Sequence, residues 1–406
     1  MTEHPNAFLC GSNYTPGTVT RPGWAQLDVG YVREQFTQMR ETGVSHVVLT
    51  PSWFRIQPTA TRIAPPMMHR IEQCLDMAAQ AHIQVVLSLL AIETHGALAF
   101  PEWHNQADVV GWLQGRTTQP VAMTNVPAII DGQWGTLRGA NPFSTVELVR
   151  AQQLLIQTVM GYFASHPACA YWMLGAGWSR LQSQVTAPQA QQWWQRIGDT
   201  ARHSAPNARL MSFIDAPSLT NAHALSLQTL VNDCDTLVVN AAMPELIDRQ
   251  HRRLTAPARF GHEIVHALSH KPVIVALAPL CRSTTQAHWR HIPWHQHQLA
   301  VPCLADEDAG QYVEHLLAGL HQAGAAGVIW PEAFVQPTGA DDMPLDWRTT
   351  QHALLNEHGQ AHAMGQALAR WNQPARVVQA ATSTIDSERF WHRPQRELTR
   401  LWQAYE

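Results

Sequence analysis

The chain has 406 residues, of which 45% are apolar and only 14% charged, with a formal net charge of −4. That length supports one large domain or two ordinary ones. The low, slightly acidic charge gives no electrostatic reason to expect nucleic acid or an anionic membrane as partner.

Met1 to Pro5 shows no basic region followed by an apolar core, so we expect no secretory signal and a cytoplasmic protein. Beyond it, short apolar runs alternate with amphipathic stretches. Strands are expected over residues 7–14, 46–53, 84–93, 170–177, 209–215, 236–241, 272–279 and 327–332. Helices are expected over 29–42, 66–81, 144–165, 187–204, 222–232, 257–270, 307–323 and 360–371. Eight strand–helix units in series predict the α/β class and a (β/α)8 barrel. The longest apolar run, 85–92, is far short of the roughly 20 residues a membrane helix needs and suits a buried strand. Two connections are long for this fold, 94–143 and 280–306. Both follow a strand, on the barrel face where sites form.

Residues 1–372 are expected to make the barrel, and 373–406 a linker and an amphipathic helix. From Glu388 to Tyr405 the chain places Trp391, Leu398, Leu401, Trp402 and Tyr405 at roughly helical spacing. This stripe either folds back onto the flank of the barrel or docks a partner protein.

The six cysteines (Cys10, Cys74, Cys169, Cys234, Cys281 and Cys303) form no C-x-x-C pair and read as reduced, mostly buried residues. His288, His291, His295 and His297, with His95 and His104, make a local cluster in a chain of 23 histidines. Their spacing fits no firm zinc template, and we expect neither a metal nor a cofactor. The 16 tryptophans suit either sugar stacking or core filling. Trp103, Trp178, Trp289, Trp294 and Trp330 map to the C-terminal strand ends or their loops; Trp112, Trp193, Trp194 and Trp371 map to helices.

Several fragments carry more. Gly11-Ser12-Asn13-Tyr14 ends the first strand, Trp53-Phe54-Arg55-Ile56-Gln57-Pro58 follows the second, and Pro101-Glu102-Trp103 follows the third. Tyr171-Trp172-Met173-Leu174-Gly175-Ala176-Gly177-Trp178 closes the fourth. Lys271-Pro272-Val273-Ile274-Val275-Ala276-Leu277-Ala278-Pro279 is the seventh, and Gly327-Val328-Ile329-Trp330 the eighth. In this order, over about residues 7–372, they resemble the clan-A glycoside hydrolases, nearest to the cellulase-like family five.

The resemblance implies an oligosaccharide or polysaccharide ligand. It implies binding positions at Asn13, Tyr14, Trp53, Trp103, Trp178, Asn240, Trp289, Trp294, Trp330 and Glu332. It also locates two losses. The family's fourth-strand W-x-L-G-N-E carries the acid/base, and its Glu aligns with Gly177. The family's seventh-strand K-P-V-x-V-x-E-F-G carries the nucleophile, and its Glu aligns with Leu277. The supporting second-strand Arg is replaced by Val48 or Leu49, and the sixth-strand His-x-Tyr by Asn240-Ala241-Ala242-Met243. A retaining glycosidase needs two carboxyl groups roughly 5–5.5 Å apart, and neither Gly177 nor Leu277 has one.

Glu93, Asp215 and Glu332 remain at expected strand ends. They are either a relocated acid and base, Asp215 and Glu332 foremost, or substrate contacts and loop anchors. The leading expectation is a catalytically degenerate glycoside-hydrolase-like protein that binds carbohydrate or serves as a scaffold subunit. The rival is an active glycosidase or transglycosylase using the relocated carboxylates. In a third reading the tryptophans fill the vacated site.

Overall fold

A computed structural model describes residues 8–17, 23–94, 97–104, 126–137, 141–181, 186–220, 225–243, 254–283, 287–294, 297–335, 353–371 and 385–405. Eight parallel strands close into a barrel: β1 (Leu9–Tyr14), β2 (His46–Leu49), β3 (Gln84–Leu89), β4 (Cys169–Leu174), β5 (Leu210–Ile214), β6 (Thr236–Asn240), β7 (Val273–Ala276) and β8 (Gly327–Trp330). They neighbour one another in chain order, and β8 closes on β1 through Leu9–Gly327 and Ser12–Trp330. Outside them lie α1 (Val29–Glu41), α2 (Pro65–Gln80), α3 (Val146–Phe163), α4 (Ala187–Ser204), a short α5 (Leu227–Leu230), α6 (Ala256–Ser269), α7 (Asp306–Gln322) and α8 (Ala363–Arg370). The expected (β/α)8 architecture is therefore the observed one.

Strand alternation divides the core in two. One residue in two along each strand faces the helices and joins the large outer core, for example Val47, Val85, Trp172, Val239 and Val328. The alternate residues Leu9, Val48, Val86, Met173, Met211, Val238, Ile274 and Ile329, one from each strand, make a separate cluster inside the barrel. The register arranges the inward residues in layers drawn from alternate strands. Gly11, Val86, Met211 and Ile274 form one layer, and Val48, Met173, Val238 and Ile329 the next. Glycine is required at Gly327 because a Cβ there would run into the backbone and Cβ of Leu9, at the seam that closes the barrel.

The strand expectations overrun at their C-terminal ends. The second strand stops at Leu49, because Pro51 has no N–H for the ladder, and Trp53–Ile56 turns into a helix. The fourth stops at Leu174, because Gly175 enters the left-handed region at φ +68°. The long connections hold strands that composition alone did not reveal. After β3 come Glu93–Thr94, Ala97–Phe100, Val126–Ile130 and Gln133–Leu137 in one sheet. Asp131 and Gly132, both at positive φ, make its hairpin turn. After β7 come Cys281–Arg282, His288–Trp294 and His297–Leu304 in a second sheet. Among the described residues no helix is long and apolar enough to cross a membrane.

The C-terminal stripe is used within the chain. Helices α9 (Ser387–His392) and α10 (Pro394–Tyr405) bury Phe390, Leu398 and Trp402. Trp402 and Tyr405 pack edge-on against Phe260 of α6, with ring centroids 4.9 and 5.4 Å away, and the Tyr405 hydroxyl donates to Glu263. Of the two readings of the stripe, the fold-back onto the barrel flank is the one these contacts describe, with Trp402 and Leu398 buried and Trp391, Leu401 and Tyr405 half-buried. Trp402→Ala is expected to destabilise the whole chain by about 3–5 kcal/mol. Denaturant unfolding measures it, and a change below about 1 kcal/mol would show the helix pair to be uncoupled from the barrel.

Candidate functional site

Above the two apolar layers the register stacks a third, Asn13 of β1, Ser88 of β3, Phe213 of β5 and Ala276 of β7. It lies at the C-terminal ends of the strands, where barrel enzymes place their chemistry. Asn13 and Phe213 stand opposite, four strands apart in either direction. Asn13 is exposed, Phe213 and Ala276 are half-buried, and Ser88 is buried. Solvent therefore reaches this layer from above. Its four side chains offer an amide, a hydroxyl, a phenyl ring and a methyl group, with no charge among them. Asn240 belongs to the next layer up, where its Oδ1 accepts from the Ala242 N–H at 2.9 Å. Phe213 was missed in the sequence because every residue of Leu210–Ile214 but Ser212 is apolar, and only the register shows which of them faces inward.

Gly177 and Leu277, with Ala176 beside them, carry no carboxyl group. Ala176 is half-buried and packs on the inner cluster. Gly177 has φ +87° and ψ −6°, a left-handed conformation that L-residues rarely adopt, and it leads into the 3-10 turn Trp178–Arg180. Leu277 continues the outward parity of Val273 and Val275 and packs in the outer core.

Most of the expected aromatic platform belongs to that outer core as well. Tyr14, Trp53, Trp178 and Trp330 are all buried there. Tyr14 donates its hydroxyl to Gln35 of α1, and Trp178 its indole N–H to the Leu90 carbonyl at 2.6 Å. Trp178 stacks on Trp193 of α4 at 4.5 Å and meets Phe143 edge-on. Trp53 and Trp103 both donate to Gln57, to its side chain and its carbonyl respectively, while the Gln57 amide donates to Ala151 of α3. Thus the W-x-R-x-Q segment is a structural brace between strand ends and helices. Tyr14 and Trp330 lie on the outward parity of β1 and β8, and Trp53 and Trp178 in the turns after β2 and β4; all four are buried among outer-core residues. Trp103 is half-buried within the same aromatic group. The Trp330 N–H is buried without a partner.

The relocated-carboxylate reading meets a similar obstacle. Asp215 is fully buried; Ser179 donates to its Oδ2 at 2.6 Å, and the Ser218 N–H and hydroxyl donate to its Oδ1 at 3.1 and 2.9 Å. It anchors the turn after β4 to the segment after β5. Glu332 is also buried, and the next residue's N–H reaches back to the Asn13 carbonyl. Glu93 lies in the strand Glu93–Thr94, but its side chain, like that of Trp294, falls outside the described residues. Trp289 is half-buried in the hairpin after β7, and His288 and His291 are exposed there.

His104 does not join them. It is fully buried among Phe100, Trp53 and Trp103, with neither ring nitrogen partnered. His95 and His295, like Trp112, are outside the described residues, as is the His297 side chain. Among the described residues no three His, Cys, Asp or Glu side chains converge as metal ligands.

No protein-family model and no curated protein matches the chain. Solved structures do share its fold. GH5_18 from Streptomyces cattleya in complex with GlcNAc is 18% identical over 91% of this chain and 82% of its own, with a TM-score of 0.68. A variant of GH5_18 from the same organism, in complex with Manβ1-4GlcNAc, covers 97% of this chain and 93% of its own at 17% identity, with the same TM-score. Exo-beta-1,4-mannosidase Op5Man5 from Opitutaceae bacterium strain TAV5 is 16% identical over 90% of this chain and 59% of its own, with a TM-score of 0.67. At these identities the likeness establishes a common barrel architecture.

Burial pushes the His104 imidazole down to about 3. It is neutral in the folded chain, whereas the unfolded chain takes up a proton near pH 6.5. Its contribution is complete above that pH and is lost as the pH falls towards 3, at up to about 1.4 kcal/mol per pH unit. Thermal unfolding of the protein and of His104→Phe between pH 7 and pH 4 is expected to show a shallower acid decline in the variant. Equal slopes would mean the ring is not held neutral. Gly177→Glu is expected to cost about 1–3 kcal/mol, because the side chain would sit on left-handed backbone. A thermal shift assay reads this, and an unchanged midpoint would show that the turn relaxes without strain.

Proposed function

We propose that this chain is a glycoside-hydrolase-like barrel that has lost the family's two-carboxylate mechanism and binds a neutral saccharide at the C-terminal mouth. The observation that carries this reading is the uncharged, solvent-reached layer of Asn13, Ser88, Phe213 and Ala276, with Asn240 above it. A phenyl ring opposite an amide suits a pyranose: the ring covers a C–H face, and the amide pairs with hydroxyl groups. A retaining reaction needs one carboxylate to attack the anomeric carbon and another to protonate the departing oxygen. Ala176, Gly177 and Leu277 supply neither, and the hydrogen bonds to Asp215 occupy both its oxygens. The chain's closest chemistry is recognition without turnover.

The Manβ1-4GlcNAc bound by a structural neighbour makes that disaccharide the first ligand to test. Its binding is expected to be weak, micromolar to millimolar, or about −4 to −8 kcal/mol. Phe213→Ala is expected to reduce affinity about tenfold, and Asn13→Ala several-fold, while Trp330→Ala mainly lowers the melting temperature. Calorimetric titration with a panel of oligosaccharides checks this, and no heat with any of them would end the binding reading. Aryl glycosides are expected to release no nitrophenol. Release abolished by Glu332→Gln in a variant that keeps its melting temperature would establish the relocated-carboxylate enzyme instead.

A further inference from the structure

The small sheet after β7 sets two cysteines side by side. Cys281, in the two-residue strand Cys281–Arg282, is the direct parallel neighbour of Cys303 in His297–Leu304. On its other side Cys303 is the antiparallel neighbour of His288. Directly opposed residues of neighbouring strands point to the same face, so Cys281, Cys303 and His288 form one row across the three strands. Both cysteines are buried in a cluster with Leu299, Val301 and Ala242, against which Ala278 packs. Ala242 and Ala278 follow β6 and β7, so this face of the sheet rests on the rim of the barrel mouth. Both cysteines are present as thiols.

Neighbouring strands lie about 4.8 Å apart, inside the roughly 4.4–6.8 Å between Cα atoms that a disulfide spans. We infer that Cys281 and Cys303 are a redox-active dithiol, oxidised by peroxide to a disulfide that fastens the sheet across the mouth's rim. Cys303, the middle residue of the row, is the attacking thiol. Its sulfur attacks one oxygen of hydrogen peroxide; the O–O bond breaks, hydroxide leaves and Cys303 becomes a sulfenic acid. The Cys281 sulfur then attacks the sulfenic sulfur, the S–O bond breaks and a second water leaves once protonated. Two thiols have lost two electrons and two protons, and one peroxide has become two waters. A small dithiol reverses the change by thiol–disulfide exchange.

The other cysteines are internal controls. Burial pushes the thiols of Cys10, Cys74 and Cys169 up to about 12 and that of Cys234 up to about 11, so their thiolates are scarce at neutral pH. None of the four is a register neighbour of another cysteine. The inference does not depend on what the mouth binds.

The test treats the reduced, folded 406-residue chain with a few equivalents of hydrogen peroxide, removes the peroxide, denatures the chain in iodoacetamide to block remaining thiols, and maps unreduced peptides by mass spectrometry. The expected product is a single intramolecular cross-link joining the Cys281 and Cys303 peptides, reversed by dithiothreitol, with the other four cysteines alkylated. In Cys281→Ser, the sulfenic acid is expected to persist on Cys303 and be captured by dimedone. In Cys303→Ser, Cys281 is expected to remain a thiol. The wild-type peptide map suffices should either variant fold poorly. Full alkylation of both cysteines after peroxide, or a cross-link to any other cysteine or to a second chain, overturns the inference.

Discussion

Closure of eight parallel strands leaves room inside for only one side chain in two, and everything else in this molecule follows from that restriction. Residues of one parity fill the interior in layers, with Val48, Met173, Val238 and Ile329 at the centre. Residues of the other parity must pack outward against helices. The parity set at Val273 and Val275 decides that Leu277 belongs to the outer core, as that of Val328 decides it for Trp330. A side chain's access to the mouth is thus fixed several residues upstream, by the register at the barrel seam. The steric demand at Gly327, whose missing Cβ admits the Leu9 backbone, pins that register.

The outer core then explains the tryptophans. Large amphipathic rings serve it well when their N–H groups find acceptors, and Trp53, Trp103, Trp178 and Trp193 all do. The stack of Trp178 on Trp193 ties the end of β4 to α4, while Gln57 ties the turn after β2 to α3. Asp215 works in the same way with polar contacts, drawing Ser179 and Ser218 together. These rings and this carboxylate are part of the scaffold that holds the strand ends. Among the described residues, the layer of Asn13, Ser88, Phe213 and Ala276 at the top of the barrel carries no charge.

Two additions shape the surroundings of that mouth. The sheet after β7 rests on Ala242 and Ala278 at its rim. Helix α10 binds the flank through Phe260, and also packs on α9 and on the segment Ala216–Thr220 that follows Asp215. The chain's end is therefore coupled through one short helix to the carboxylate that anchors the strand-end turns. This gives the C-terminal stripe a role in the barrel's own stability, which a free docking helix would lack.

The sequence by itself determined the barrel. Alternating apolar runs and amphipathic stretches repeat eight times, and each repeat can bury its apolar face only by joining its neighbours. The expected second and fourth strands ran on past Leu49 and Leu174, where Pro51 and Gly175 interrupt the ladders through local backbone chemistry. The tertiary structure alone decided which side of each strand end faces the mouth. Within Leu210–Ile214 every residue but Ser212 is apolar, so periodicity cannot single out Phe213 as the inward ring. Trp178 and Trp330 look like sugar platforms because a tryptophan near a strand end suits either role. Burial against Trp193, or the pairing of Ser12 with Trp330 at the seam, is a long-range relation. The same holds for Cys281 and Cys303, which lie 22 positions apart in the sequence and become neighbours only when two strands pair. Local patterns report local energetics, whereas facing and neighbourhood are set by the closure of the sheet.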